Sequence, residues 1–111
     1  MKIAFYIDNQ RYEGIDYSTP EKGNPGTGGT QFIFLTTAYY LQKKYDSIKV
    51  IIYAPHIETM PSSLVAYKCG NASESVRFAK QCGVDILVIR SNVYDPELYK
   101  IIDNQQQQVV C

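Results

Sequence analysis

Short, unbroken apolar runs recur along the chain, and they restrict its fold more than any other feature. Lys2-Ile3-Ala4-Phe5-Tyr6-Ile7 is nearly continuous and stops at Asp8-Asn9. Ile48 to Ala54 is β-branched and closes at Pro55, Asp85 to Arg90 has the same form, and Gln107 to Cys111 is a fourth such run. A strand with one wet face alternates apolar and polar residues; a strand covered on both faces does not. These runs therefore predict a parallel sheet sandwiched between helices.

Helical segments fall between the runs. Phe32 to Tyr45 carries an apolar face through Phe34, Ala38, Leu41 and Tyr45, widened by Ile33 and Leu35, with Lys43-Lys44 at the negative end of its dipole. Thr27 or Thr30 is its expected cap. Asn71-Ala72-Ser73-Glu74 has the form of a capping box; Val76, Phe78, Ala79 and Cys82 form the buried face that follows, and Gly83 ends it. Asp95-Pro96 opens a third helix to Asp103. Residues Pro61 to Gly70 read equally as loop or as a strand-like piece at Leu64-Val65-Ala66-Tyr67.

The element order is thus β-α-β-α-β-α-β. With right-handed crossovers it makes an α/β, Rossmann-like three-layer sandwich whose parallel sheet has the order of about 3-2-1-4, counting only the four runs above. One domain spans 1–111. Ligands of such sheets bind at the carboxyl ends of the strands. The segments expected on that rim are the Asp8 to Gly29 loop, His56 and Ser91 to Tyr94. For His56 two readings stand, a polar contact to substrate or an ordinary surface histidine.

The rim loop is unusual in length. It has 22 residues, where strand-to-helix connections take about 2–6. It ends in Gly23-Asn24-Pro25-Gly26-Thr27-Gly28-Gly29-Thr30-Gln31. Glycines let backbone N–H groups approach a ligand, and a helix start leaves several such donors unpaired at the positive end of its dipole. The junction suits an anion such as a phosphate; it equally suits a tight turn.

Composition removes several function classes. Eleven basic and eleven acidic side chains cancel, with no basic run beyond Lys43-Lys44, so no nucleic-acid partner is expected. The apolar runs are too short to span a membrane and Met1-Lys2 leads straight into a strand, which favours the cytoplasm. Cys69, Cys82 and Cys111 form no C-x-x-C pair and there is one histidine, so reduced thiols, with Cys82 buried, are expected instead of a disulfide framework or metal site. A dinucleotide-binding motif needs its glycines directly after the first strand and an acid after the second; both are missing. A P-loop needs Lys-Ser/Thr where the chain has Thr30-Gln31. A phosphoacceptor receiver needs an aspartate where the third run ends in Ile89-Arg90-Ser91.

The ordered set Met1-Lys2-Ile3-Ala4-Phe5, Gly28-Gly29-Thr30-Gln31, the helix Phe32 to Lys44 with Lys49-Val50-Ile51-Ile52-Tyr53, and Val84-Asp85-Ile86-Leu87-Val88 resembles the amino-terminal domain of GT-B glycosyltransferases of the family-4 type. The resemblance covers essentially the whole chain. It implies transfer of a sugar from a nucleotide-sugar donor to an acceptor, with Gly28, Gly29 and Thr30 at the donor diphosphate. Asp8, Asn9, Arg11 and Tyr12, with His56 on the same rim, are then candidate acceptor contacts. No metal and no cofactor are expected. As partners it implies the donor, an acceptor it leaves open and a carboxyl-terminal domain, and it leaves room for peripheral membrane contact through the parent protein. Two positions depart from the family: Gln31 stands where a glutamate is common, and the family histidine would fall beyond Cys111. The last run ends without a covering helix, so the chain is expected to be a truncated half of such an enzyme, inactive by itself. The alternative is a non-catalytic nucleotide-binding or protein-interaction domain on the same sheet.

Overall fold

The computed structural model describes residues 1–90 and the backbone of residues 108–110. The elements are β1 (Lys2–Tyr6), α1 (Gly29–Lys44), β2 (Lys49–Ala54), β3 (Val65–Lys68), α2 (Ala72–Gln81), β4 (Ile86–Val88) and β5 (Gln108–Val110), with one 3-10 turn at Pro20–Lys22. The expected helix from Pro96 to Asp103 and the rim segment Ser91 to Tyr94 lie outside the described residues.

All four strand pairings are parallel, and the sheet order is β3-β2-β1-β4-β5. This corrects the expected order in two respects: the run from Asp85 lies beside β1, and the last run, Gln108–Val110, pairs with β4 and not with β1. The expected order puts the run from Asp85 outside β2, but Ile86, Leu87 and Val88 pair with Ile3, Ala4 and Phe5 on the other side of β1. The outer place belongs to Val65–Lys68, the stretch left open between loop and strand, which pairs with Ile51 to Ala54. β1 is therefore central, and the direction of winding reverses between it and β4.

The faces follow from that reversal. Phe5 and Ile7 point to a core shared with Leu35 and Ala38 of α1, Val50 and Ile52 of β2, and Leu64 of the β2–β3 connection. Ala4 and Tyr6 point the other way, to Val76 and Ala79 of α2 with Ile51, Tyr53 and Leu87. Moving outward from β1 to β3 the chain crosses on the α1 face; returning to β4 it crosses on the α2 face. Crossovers of a single hand require that switch of face. Alternation along a strand supplies both cores from one segment.

Local signals account for the helices. Asn71 caps α2 by accepting from the Glu74 amide at 2.9 Å, and the Lys2 ammonium donates to the Cys82 carbonyl at its other end, 2.9 Å away. Cys82 itself is half-buried, not buried as expected. In α1 the buried residues are Leu35 and Ala38, flanked by Phe34, Tyr39 and Leu41. Ile33, expected on the packed face, is 62% exposed, and Tyr45 is exposed as well. The helix also starts three residues earlier than Phe32, and Gly28 is its N-cap with no side-chain cap bond. Neither threonine caps it; the Thr27 hydroxyl donates to the Gly28 carbonyl at 3.1 Å. No helix among the described residues is long and apolar enough to cross a membrane.

Candidate functional site

At the carboxyl end of β1, where winding reverses, a polar cleft of about 440 Å³ opens. Three segments build it. Asp8, Gln10, Arg11 and Tyr12 come from the chain leaving β1, residues 28–31 from the start of α1, and Arg90 from just beyond β4. A reversal point leaves a gap because the connections on its two sides depart to opposite faces.

Side chains inside the loop fix its last turn. The Asn24 carboxamide oxygen accepts from the amides of Gly26 and Thr27 at 2.9 and 2.8 Å, while its nitrogen donates to the Thr27 carbonyl at 2.9 Å. Gly26 has a φ of +113°, a conformation that side chains disfavour. The loop therefore reaches α1 as a preformed turn. No side chain caps the helix and its first turn contains no acid, so the residues that start it line the cleft without a cap of their own, beside the Asp8 carboxylate.

The two glycines of the junction have different reasons to be glycine. A Cβ at Gly29 would meet nothing within 4 Å, so that backbone stands open. A Cβ at Gly28 would collide with the Gln31 carboxamide oxygen and crowd the Tyr12 hydroxyl at 3.2 Å. Gly28 makes room for its own neighbours. Gln31 in turn donates from Nε2 to the Asp8 carbonyl at 2.8 Å, tying the first turn of α1 to the exit of β1.

Behind the cleft lies a small apolar recess of about 40 Å³, formed by Tyr6, Ile7, Phe34 and Ala72 and sharing Asp8, Thr30, Gln31 and Arg90 with the cleft. Burial pushes the Tyr6 phenol well above its ordinary range, and the Asp8 carboxylate adds to the effect. Tyr6 is thus a neutral hydroxyl at neutral pH.

Of the residues singled out in the sequence, the cleft brings together Asp8, Arg11, Tyr12, Gly28, Gly29 and Thr30. It does not bring in Asn9 or His56. Asn9 is fully buried and bonded to the His56 backbone on both sides of its amide. The His56 ring lies 3.2 Å from the Gln10 carbonyl oxygen, in a separate recess with Glu13, Ile15, Glu58 and Thr59. These two are placed as parts of the loop's anchorage, because a strand-end asparagine can satisfy a passing backbone as readily as a ligand. Tyr17 of the same loop is 2% exposed and belongs to the α1-side core. Gln10, Gln31 and Arg90 were not among the predicted contacts. Arg90 ends an apolar run at a strand exit, and that position was the available signal.

No metal cluster occurs among the described residues. Comparison with models of protein families, with curated proteins and with solved structures gave no match.

Proposed function

We propose that the chain is the amino-terminal, acceptor-side domain of a GT-B glycosyltransferase, and that its cleft receives the diphosphate of a nucleotide-sugar donor held mainly by a second α/β domain. The observation that carries this reading is the uncapped start of α1 at Gly28-Gly29, opening on a cleft flanked by Arg11 and Arg90. Free helix-start amides and guanidinium groups are the chemistry that holds phosphate.

In the reaction the bond from the sugar's anomeric carbon to the diphosphate oxygen breaks and a new one forms to the acceptor oxygen, whose proton is released. Negative charge grows on the departing diphosphate. Backbone N–H groups at residues 28–30 would stabilise that charge more in the transition state than in the bound donor. Asp8, Arg11 and Tyr12 would meet the acceptor, and Asp8 is the one carboxylate on the cleft wall among the described residues.

A panel of nucleotide sugars incubated with the full-length protein tests the proposal. Release of nucleoside diphosphate coupled to glycoside formation is the expected result. The second reading is a non-catalytic nucleotide-binding or protein-interaction domain on the same sheet, using the same cleft without transfer chemistry. Tight nucleotide binding by the 111-residue chain with no turnover by the full-length protein would favour it.

A further inference from the structure

We propose that Gln31 is a positioning residue that sets the depth and polarity of the cleft, a role that rests on the cleft being a diphosphate seat. Its carboxamide donates to the Asp8 carbonyl at 2.8 Å, lies against Gly28 in the space a Cβ would take, and borders both the polar cleft and the apolar recess behind it. Three consequences come from one amide. The donor half pins α1 to the end of the central strand. The carbonyl half lies against the helix N-cap, where it leaves the Gly29 side open. The amide as a whole separates the space where an anion is stabilised from the space lined by Ile7 and Phe34.

The chemistry of the amide matters as much as its size. A glutamate of the same length has no N–H to give the Asp8 carbonyl at neutral pH, and its carboxylate would face the Asp8 carboxylate and the incoming phosphate. The other groups facing that position are Arg11 and Tyr12 from the loop, Tyr6 from β1 and Arg90 beyond β4. In this chain a neutral donor satisfies the Asp8 carbonyl, a bond that the glutamate common at this position in the family it resembles could not make when ionised. The arrangement also gives a reason for the glycine at 28: a Cβ there would displace the Gln31 carboxamide from its place.

The test measures binding of inorganic pyrophosphate and of uridine diphosphate to the full-length protein by calorimetry, for wild type, Q31A, Q31E, G28A and the double variant G28A/Q31A, with circular dichroism to confirm folding. Q31A and G28A are each expected to weaken pyrophosphate by about 5- to 10-fold, the worth of one net hydrogen bond. The double variant is expected to match Q31A, since removing the amide frees the space for the new Cβ. Q31E should bind more weakly than Q31A at pH 7.5 and recover relative to wild type as the pH falls through about 5 to 4, where a protonated glutamate can donate to the Asp8 carbonyl. Recovery of Q31E only to the level of Q31A would report lost charge repulsion alone and overturn the role of the donated bond, whereas recovery beyond Q31A requires the protonated glutamate to donate to the Asp8 carbonyl. Wild-type binding with Q31A and Q31E unchanged, or strictly additive losses in the double variant, would overturn the role of Gln31 alone. Absence of binding by wild type would overturn the diphosphate reading together with it.

Discussion

Asn9 and His56 are joined by two hydrogen bonds in opposite senses: the Asn9 Nδ2 donates to the His56 carbonyl at 2.8 Å, and the His56 amide donates to the Asn9 Oδ1 at 3.0 Å. A side chain here imitates a strand partner. It staples the exit of β1 to the exit of β2 just past the last ladder bond, Ile7 amide to Tyr53 carbonyl at 2.9 Å. Asn9→Ala leaves both His56 backbone groups without their partner at a site with 0% exposure. The expected loss is about 2–4 kcal/mol, from unpaired polar groups plus the cavity. Urea unfolding measures it, and a loss below about 1 kcal/mol would show that water or a backbone shift replaces the amide.

Gly29→Ala is expected to change stability and binding in opposite directions. The new methyl group has no neighbour within 4 Å and lies in the first turn of α1, where alanine restricts the unfolded chain more than glycine does; the gain is about 0.5–1 kcal/mol. The same methyl stands where an anion would approach the backbone, so pyrophosphate binding falls. Gly29→Val should raise donor KM or lower kcat in the full-length protein while the fold stays intact. Thermal melts paired with donor titrations give both signs, and unchanged kinetics in both variants would remove the assigned role of this backbone.

Asn24→Ala removes all three bonds that hold the turn ahead of the helix. The residue is exposed, so global stability should change little. Preorganisation should suffer: a loop that must order on binding weakens the complex, here by about 3-fold or more. Amide exchange at Gly26 and Thr27 should accelerate in the same variant. Unaltered exchange would mean that Gly26 and Pro25 hold the turn by themselves.

The Tyr53 hydroxyl is buried with no geometric hydrogen-bond partner among the described residues, and the Cys82 side chain is its polar neighbour. Tyr53→Phe is therefore expected to be neutral or stabilising by up to about 1 kcal/mol, since it deletes a desolvated group and keeps the ring. A pH dependence follows from the same burial. Burial pushes Cys69 from 9.0 up to about 11 and pushes Tyr6 and Tyr53 well above 10.0. Between these ranges the unfolded chain has released protons that the folded chain retains, so stability falls as pH rises above about 9. Denaturation between pH 7 and 11 measures the slope, and Tyr53→Phe should flatten its upper part; a flat wild-type profile would refute the assignment. In the same range Cys69, whose thiol donates to the Asn71 carbonyl at 3.2 Å, should resist alkylation that reaches half-buried Cys82.

The fold was legible where local pattern and tertiary role coincide. β1 and β2 are covered on both faces, so their apolar runs are unbroken, and α2 announces itself by Asn71 and Glu74. β3 was not legible: it has four residues, of which Tyr67 and Lys68 are exposed, and nothing in so short a stretch separates an edge strand from a loop. The place of β4 beside β1 was not legible either, because the order of a parallel sheet is set by which face a crossover covers, and that depends on counting β3. At the site, the glycine junction could be read from the sequence. The difference between Gly28 and Gly29 could not, since it depends on where Gln31 and Tyr12 lie in space. Asn9 looked like a ligand contact because asparagine after a strand is common at both turns and binding rims; its burial is a long-range fact.

The central position of β1 has a mechanical consequence. It is bonded along both edges and packed on both faces, so its carboxyl end should open late among the described strands. Gln31 ties the start of α1 to that end through the Asp8 carbonyl. Local openings that free the short outer strand Val65–Lys68 would leave that tie, and with it the walls of the cleft, in place.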